Sequence, residues 1–143
     1  MVGEEHSYTK FGGIVAGLDN KTSGRWSSVT GGKRNLASGP HSSVAGGFKN
    51  KATGSSASVT GGTDNEASGL RSSVTAGFEN EASGVSASVT GGSANEASGG
   101  AASVAGGRFN EATNFQASVV GGLTNTASGK RATVCGGKSA TLS

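Results

Sequence analysis

Apolar side chains recur along this chain at one fixed interval. Val29 is followed by Val44, Val59, Val74, Val89, Val104, Val119 and Val134, fifteen residues apart each time, and Ile14 precedes the series at the same spacing. The run S-V-T-G around each valine predicts a short strand, with Val on one face and Ser and Thr on the other. Half a period later, N-E-A-S predicts a second short strand with Asn and Ala inward and Glu and Ser outward. Turns are expected at the Gly-Gly pair and at S-G-x-x.

The register holds through nine coils that begin at residues 13, 28, 43, 58, 73, 88, 103, 118 and 133. Numbering positions within a coil from one to fifteen, glycine occupies the fifth in every coil, from Gly17 to Gly137. The eighth is Asn in eight coils: Asn20, Asn35, Asn50, Asn65, Asn80, Asn95, Asn110 and Asn125. The twelfth is Gly24, Gly39, Gly54, Gly69, Gly84, Gly99 and Gly129, with Asn114 as the exception. Asn tolerates φ > 0 better than other non-glycine residues, so a left-handed backbone is expected there. Residues 1–12 break the repeat and are expected as a separate N-terminal segment that caps the first coil; residues 13–143 form the repeat unit.

Such a period excludes the alternatives. Two glycines per coil would each cost a helix about 1 kcal/mol. Collagen needs glycine at every third place and abundant proline, and this chain has one Pro. An all-β, parallel β-solenoid of nine fifteen-residue coils remains, each strand pairing with its equivalent in the next coil. Stacking at about 4.8 Å lets the Asn column form a ladder of side-chain amide bonds. The other reading is that Asn merely favours a turn.

Composition sharpens this. Gly, Ser, Ala, Thr and Asn make up about two thirds of the chain, hydrophobic residues 32% and aromatics 5%. One valine and one or two alanines per coil form a thin core, so a second source of burial is expected, with protomers sharing a face of small residues. The formal charge of +3 is small and dispersed, which argues against nucleic acid. No apolar run suits direct membrane insertion, and no signal peptide is visible at the N-terminus.

Segments such as Ser58 to Gly69 (S-V-T-G-G-T-D-N-E-A-S-G) and Ser88 to Gly99 (S-V-T-G-G-S-A-N-E-A-S-G) resemble the head repeats of trimeric autotransporter adhesins of the YadA-like kind. Those repeats read S-V-A-I-G-x-x-S-x-A-x-G over about fourteen residues. Here Gly or Ala stands for the second inward Ile, Asn replaces Ser, and each coil is one residue longer. The resemblance spans residues 13–143. It implies a left-handed β-roll, three of them about a common axis, at an extracellular or bacterial cell-surface location.

Catalytic chemistry is not legible, and a non-enzyme without cofactor or metal is expected. His6 and His41 have no partner at ligand spacing, Cys135 reads as a small column filler, and no nucleophile elbow accompanies the serines. Glu66, Glu81, Glu96 and Glu111 would stack as like charges, either a weak divalent-cation stripe or a solvated face that discourages aggregation. The turns are the variable places, and Trp26, Phe48, Phe78 and Phe115 are the candidate contact residues, either for a ligand or for a neighbouring protomer.

Three functions follow from these features. The first is a homotrimeric adhesive head or fibre segment whose partners are itself and a host or matrix surface. The second is a self-assembling filament of stacked solenoids. The third is an ice-binding solenoid using hydroxyl rows, its Thr column broken by Val15, Ala45, Ala105, Val120 and Cys135.

Overall fold

In the computed structural model, residues 2–4, 7–8, 13 and 15–143 are described. They form a parallel β-solenoid with no helix. The strands are two residues long through most of the array, because each is closed by a turn on both sides. Strands such as Ser58–Val59 and Ser73–Val74 stack into an eight-stranded sheet, while Glu66–Ala67, Glu81–Ala82 and their equivalents stack into a ten-stranded one. Both sheets are parallel and in register, Ser on Ser, Val on Val, Glu on Glu. A third ladder of single bridges joins the sixth positions, as in Phe48 to Thr63 to Phe78.

The core is as thin as the sequence implies. The valine column is buried at 0–1% exposure from Val29 to Val119, as is the tenth-position alanine column from Ala37 to Ala127. A third buried column lies at the fifteenth position, where Ser42, Ala57, Ser72 and Ala87 alternate small polar and small apolar groups. Ser72 Oγ donates to the Gly69 carbonyl at 2.9 Å, and Ser27 Oγ to Gly24 at 2.7 Å. The hydroxyls of Thr22 and Ser42 are buried without a partner among the described residues.

The first coil departs from the expected register. Val15 bridges to Val29 and is 2% exposed, so Val15 takes the inward place assigned to Ile14, which lies outside the described residues. Fourteen residues, not fifteen, separate these partners. The same shorter spacing joins Val2–Glu4 to Ala16–Leu18 and Ser7–Tyr8 to Lys21–Thr22, all in parallel. Glu5, His6 and Lys10–Phe11, assigned to a cap, lie outside the described residues.

Backbone conformation at the turns also corrects the expectation. Left-handed residues occur at the fifth, seventh and fourteenth positions, not at the twelfth. The fifth-position glycines have φ of 81–108°. The seventh and fourteenth are non-glycine throughout, among them Asp64 (φ 55°), Arg71 (φ 56°) and Thr124 (φ 57°). Each of these turns its peptide round: most N–H groups donate forward to the next coil, but Asp64 donates back to Phe48 at 2.9 Å and Arg71 back to Ser55 at 2.9 Å. Strain at these residues is thus held by bonds to the preceding coil.

Gly69 and its equivalents are small for a steric reason. A Cβ on Gly69 would overlap the Gly84 carbonyl and lie 2.7 Å from the Ser83 oxygen. Asn114 is accommodated where its turn is exposed, its Nδ2 donating to Ser128 O at 2.8 Å and its Oδ1 accepting the Phe115 N–H at 2.7 Å.

Candidate functional site

Asn side chains form a continuous buried column from Asn20 to Asn125, at 0–1% exposure. Their hydrogen bonds run coil to coil, but to backbone and not from amide to amide. Asn65 is representative. Its Oδ1 accepts the Asn80 N–H at 2.9 Å, and its Nδ2 donates to Gly61 O within the coil and to Gly77 O in the next, both at 3.0 Å. Asn35, Asn50, Asn80, Asn95, Asn110 and Asn125 repeat the pattern. With both donors used and the oxygen engaged, the column has no free polar group directed at a ligand. Its bonds hold neighbouring coils together.

Candidate aromatic residues do not converge. Trp26 (53% exposed) and Phe115 (46%) lie in the second turn, near opposite ends of the array, whereas Phe48 and Phe78 lie on the first-turn ladder with Thr63 between them. The Trp26 ring is engaged by its neighbours, with the Arg25 guanidinium 3.8 Å from its centroid and the His41 ring at 4.6 Å. Lys49 and Lys130 approach the Phe48 and Phe115 rings at 5.1 and 5.9 Å. Phe109, 46% exposed at a left-handed seventh position, is a further surface aromatic.

Two faces differ in chemistry. Outside the valine sheet lie the half-buried serines of the first position and the exposed third position, here Thr30, Ala45, Thr60, Thr75, Thr90, Ala105, Val120 and Cys135. Neither column carries a charge, and both are made of small side chains. Outside the alanine sheet lies the ninth position, where Glu66, Glu81, Glu96 and Glu111 stack in register after Lys51. Lys51 Nζ reaches Glu66 Oε2 at 3.4 Å, and Arg34 Nε reaches Asp19 Oδ2 at 3.4 Å. Among the described residues no three His, Cys, Asp or Glu side chains cluster as a metal site, and His6 lies outside them. Among the described residues, no helix is long and apolar enough to cross a membrane.

Comparison with known proteins places this geometry. No curated protein matches the chain. Residues 42–54, which run from a buried Ser42 through the Val44 strand, the Gly46-Gly47 corner and Asn50 to Gly54, match the ubiquitous surface protein adhesin repeat. That match covers thirteen residues, less than one full coil, and the coils from Ser28 onward repeat its pattern in register. The matched repeat and the parallel solenoid together fit the repeats of YadA-like trimeric autotransporter adhesins, and so point to an adhesive surface protein of structural type.

Proposed function

We propose that this chain is the head or fibre segment of a homotrimeric surface adhesin, acting in attachment to a host or matrix surface. The match of residues 42–54 to an adhesin repeat carries the proposal. Burial supports it: the largest side chain common to the core is valine, and a coil this thin gains from covering a second face. The uncharged face of Ser, Thr and Ala outside the valine sheet suits that role, because small residues allow backbones to approach closely. Three protomers packed through it would leave the turns and the charged sheet exposed to partners.

Sedimentation at micromolar concentration tests this reading. A trimer mass is expected, and Ala105→Trp on the uncharged face should disrupt it more than Glu111→Trp on the alanine sheet. A stable monomer overturns the trimer, and a mass that grows without limit favours a filament instead. Adhesion is tested by binding of the assembled protein to immobilised matrix or to host cells. No binding by an intact trimer overturns attachment while leaving the assembly standing.

A further inference from the structure

The charged face carries its charges in an order that makes it complementary to itself. In the coils that begin at residues 28 and 43, the sixth, seventh and ninth positions hold Lys33 with Arg34, and Lys49 with Lys51. In the coils that begin at 58 and 73, the same positions hold Asp64 with Glu66, and Glu79 with Glu81. Two cations, two cations, two carboxylates, two carboxylates: the sign inverts across the boundary between Ala57 and Ser58. All eight side chains are exposed or half-exposed, and all belong to the first turn or the alanine sheet, away from the uncharged face.

Within one molecule this order is unfavourable. Glu66 and Glu81 are direct cross-strand partners, and like charges stacked about 4.8 Å apart repel. Lys51 to Glu66 and Arg34 to Asp19 are exposed pairs that relieve little of it.

We infer that this face binds a second copy of the same chain in antiparallel orientation. A two-fold axis lying in the face, perpendicular to the stacking direction and passing between the coils of Lys49 and Asp64, lays each column on itself with coil order reversed. Lys49 then meets Asp64 of the second copy, Lys51 meets Glu66, and Arg34 meets Glu79. In the sixth-position column the bulky Phe48 meets the small Thr63, and Lys33 meets the Phe78 ring, a cation on an aromatic face. Glu81 opposes Leu36, in the same rank as Lys33 and Arg34. Parallel in-register packing of this face would set lysine on lysine and glutamate on glutamate. A parallel arrangement shifted by two coils would pair only one half of the charges. Complementarity therefore selects the closed, antiparallel pair.

Charge reversal tests this; the seventh and ninth columns already carry both signs, and Lys33, in a sixth column that has no carboxylate, is exposed, so the fold tolerates it. One variant combines Asp64→Lys, Glu66→Lys, Glu79→Lys and Glu81→Lys; the other combines Lys33→Glu, Arg34→Glu, Lys49→Glu and Lys51→Glu. Sedimentation of the native chain at low ionic strength should show a doubling of the basic assembly unit that weakens as salt is added. Each reversed variant alone should associate about tenfold or more weakly. An equal mixture of the two should associate again, as should the chain that carries both sets. With Cys135→Ser, a spin label at Thr63→Cys should report a short pair distance and one at Thr124→Cys more than about 40 Å, nine coil rises apart. Absence of low-salt doubling, doubling that survives either reversal, a mixture that fails to associate, or short distances from both labels overturns the proposal. The uncharged face is untouched by these variants, so a trimer lost or kept is read separately.

Discussion

The side-chain oxygen of Asn65 accepts the backbone N–H of Asn80, one coil further on, at 2.9 Å. That N–H is buried, and Asn65 is its partner. The valine and alanine sheets satisfy the backbone at the strands; at the inward corner that role passes to a side chain. The column therefore links coils in a way that neither sheet does.

Asn65→Ala should destabilise the chain by about 1–3 kcal/mol, the usual cost of leaving a buried donor unpaired. Asn65→Asp keeps the acceptor but loses both donations, to Gly61 and Gly77, and buries a charge. Burial raises the pKa of the new carboxyl in the fold, so its penalty should be greatest at neutral pH and shrink as pH falls and the acid protonates. Urea melts of the three chains at two pH values check this. An Asn65→Ala chain as stable as the parent would remove the ladder from the stability of the fold.

Adjacent glycines should respond in opposite ways. Gly61 has open space where a Cβ would stand, and Ala76 occupies the equivalent place in the next coil, so Gly61→Ala should be neutral or stabilising by a few tenths of a kcal/mol. Gly62 has φ 87°, and an added Cβ would overlap the Gly77 carbonyl and lie 2.7 Å from the Gly77 nitrogen. Gly62→Ala should cost more than about 2 kcal/mol. Thermal melts of the pair decide it, and equal effects would sink the argument.

At the second turn the cost is contact rather than backbone strain. Gly69→Ala should therefore be nearly as damaging as Gly69→Val, at more than about 1 kcal/mol, because the first carbon already meets the Gly84 carbonyl. Asn114→Gly loses two hydrogen bonds of an exposed turn and should change stability by no more than about 0.5 kcal/mol. A tolerated Gly69→Ala with a ruinous Gly69→Val would show that the coils can separate locally.

Left-handed residues without glycine leave room for stabilisation. Ala94 (φ 52°) and Ala101 (φ 53°) pay the steric cost of αL with no side-chain hydrogen bond in return. Ala94→Gly and Ala101→Gly should each raise stability by about 0.5 kcal/mol, the αL relief less the entropy that glycine loses. Calorimetry of single and double variants measures this, and the effects should add, since the two residues occupy different turns.

A good part of the molecule was legible in its residues. Fifteen-residue spacing of Val, Asn, Ala and Gly determined the solenoid, the strand positions and which columns face inward, because in-register stacking turns a sequence period directly into a column of contacts. Sign order along the charged face was equally present, from Lys33 to Glu81. What lay beyond the sequence were relations set by the distance between coils. Gly69 is glycine because the Gly84 carbonyl is close above it, and nothing in S-G-x-x distinguishes that from a need for positive φ. Arg71 and Thr124 are left-handed because their N–H groups bond backward, a choice that depends on which coil supplies the acceptor. Asn65 bonds to backbone because the buried corner leaves an N–H and two carbonyls within its reach. Val15 takes an inward place because its pairing with Val29 is settled in three dimensions, where fourteen residues between partners close a turn as well as fifteen do.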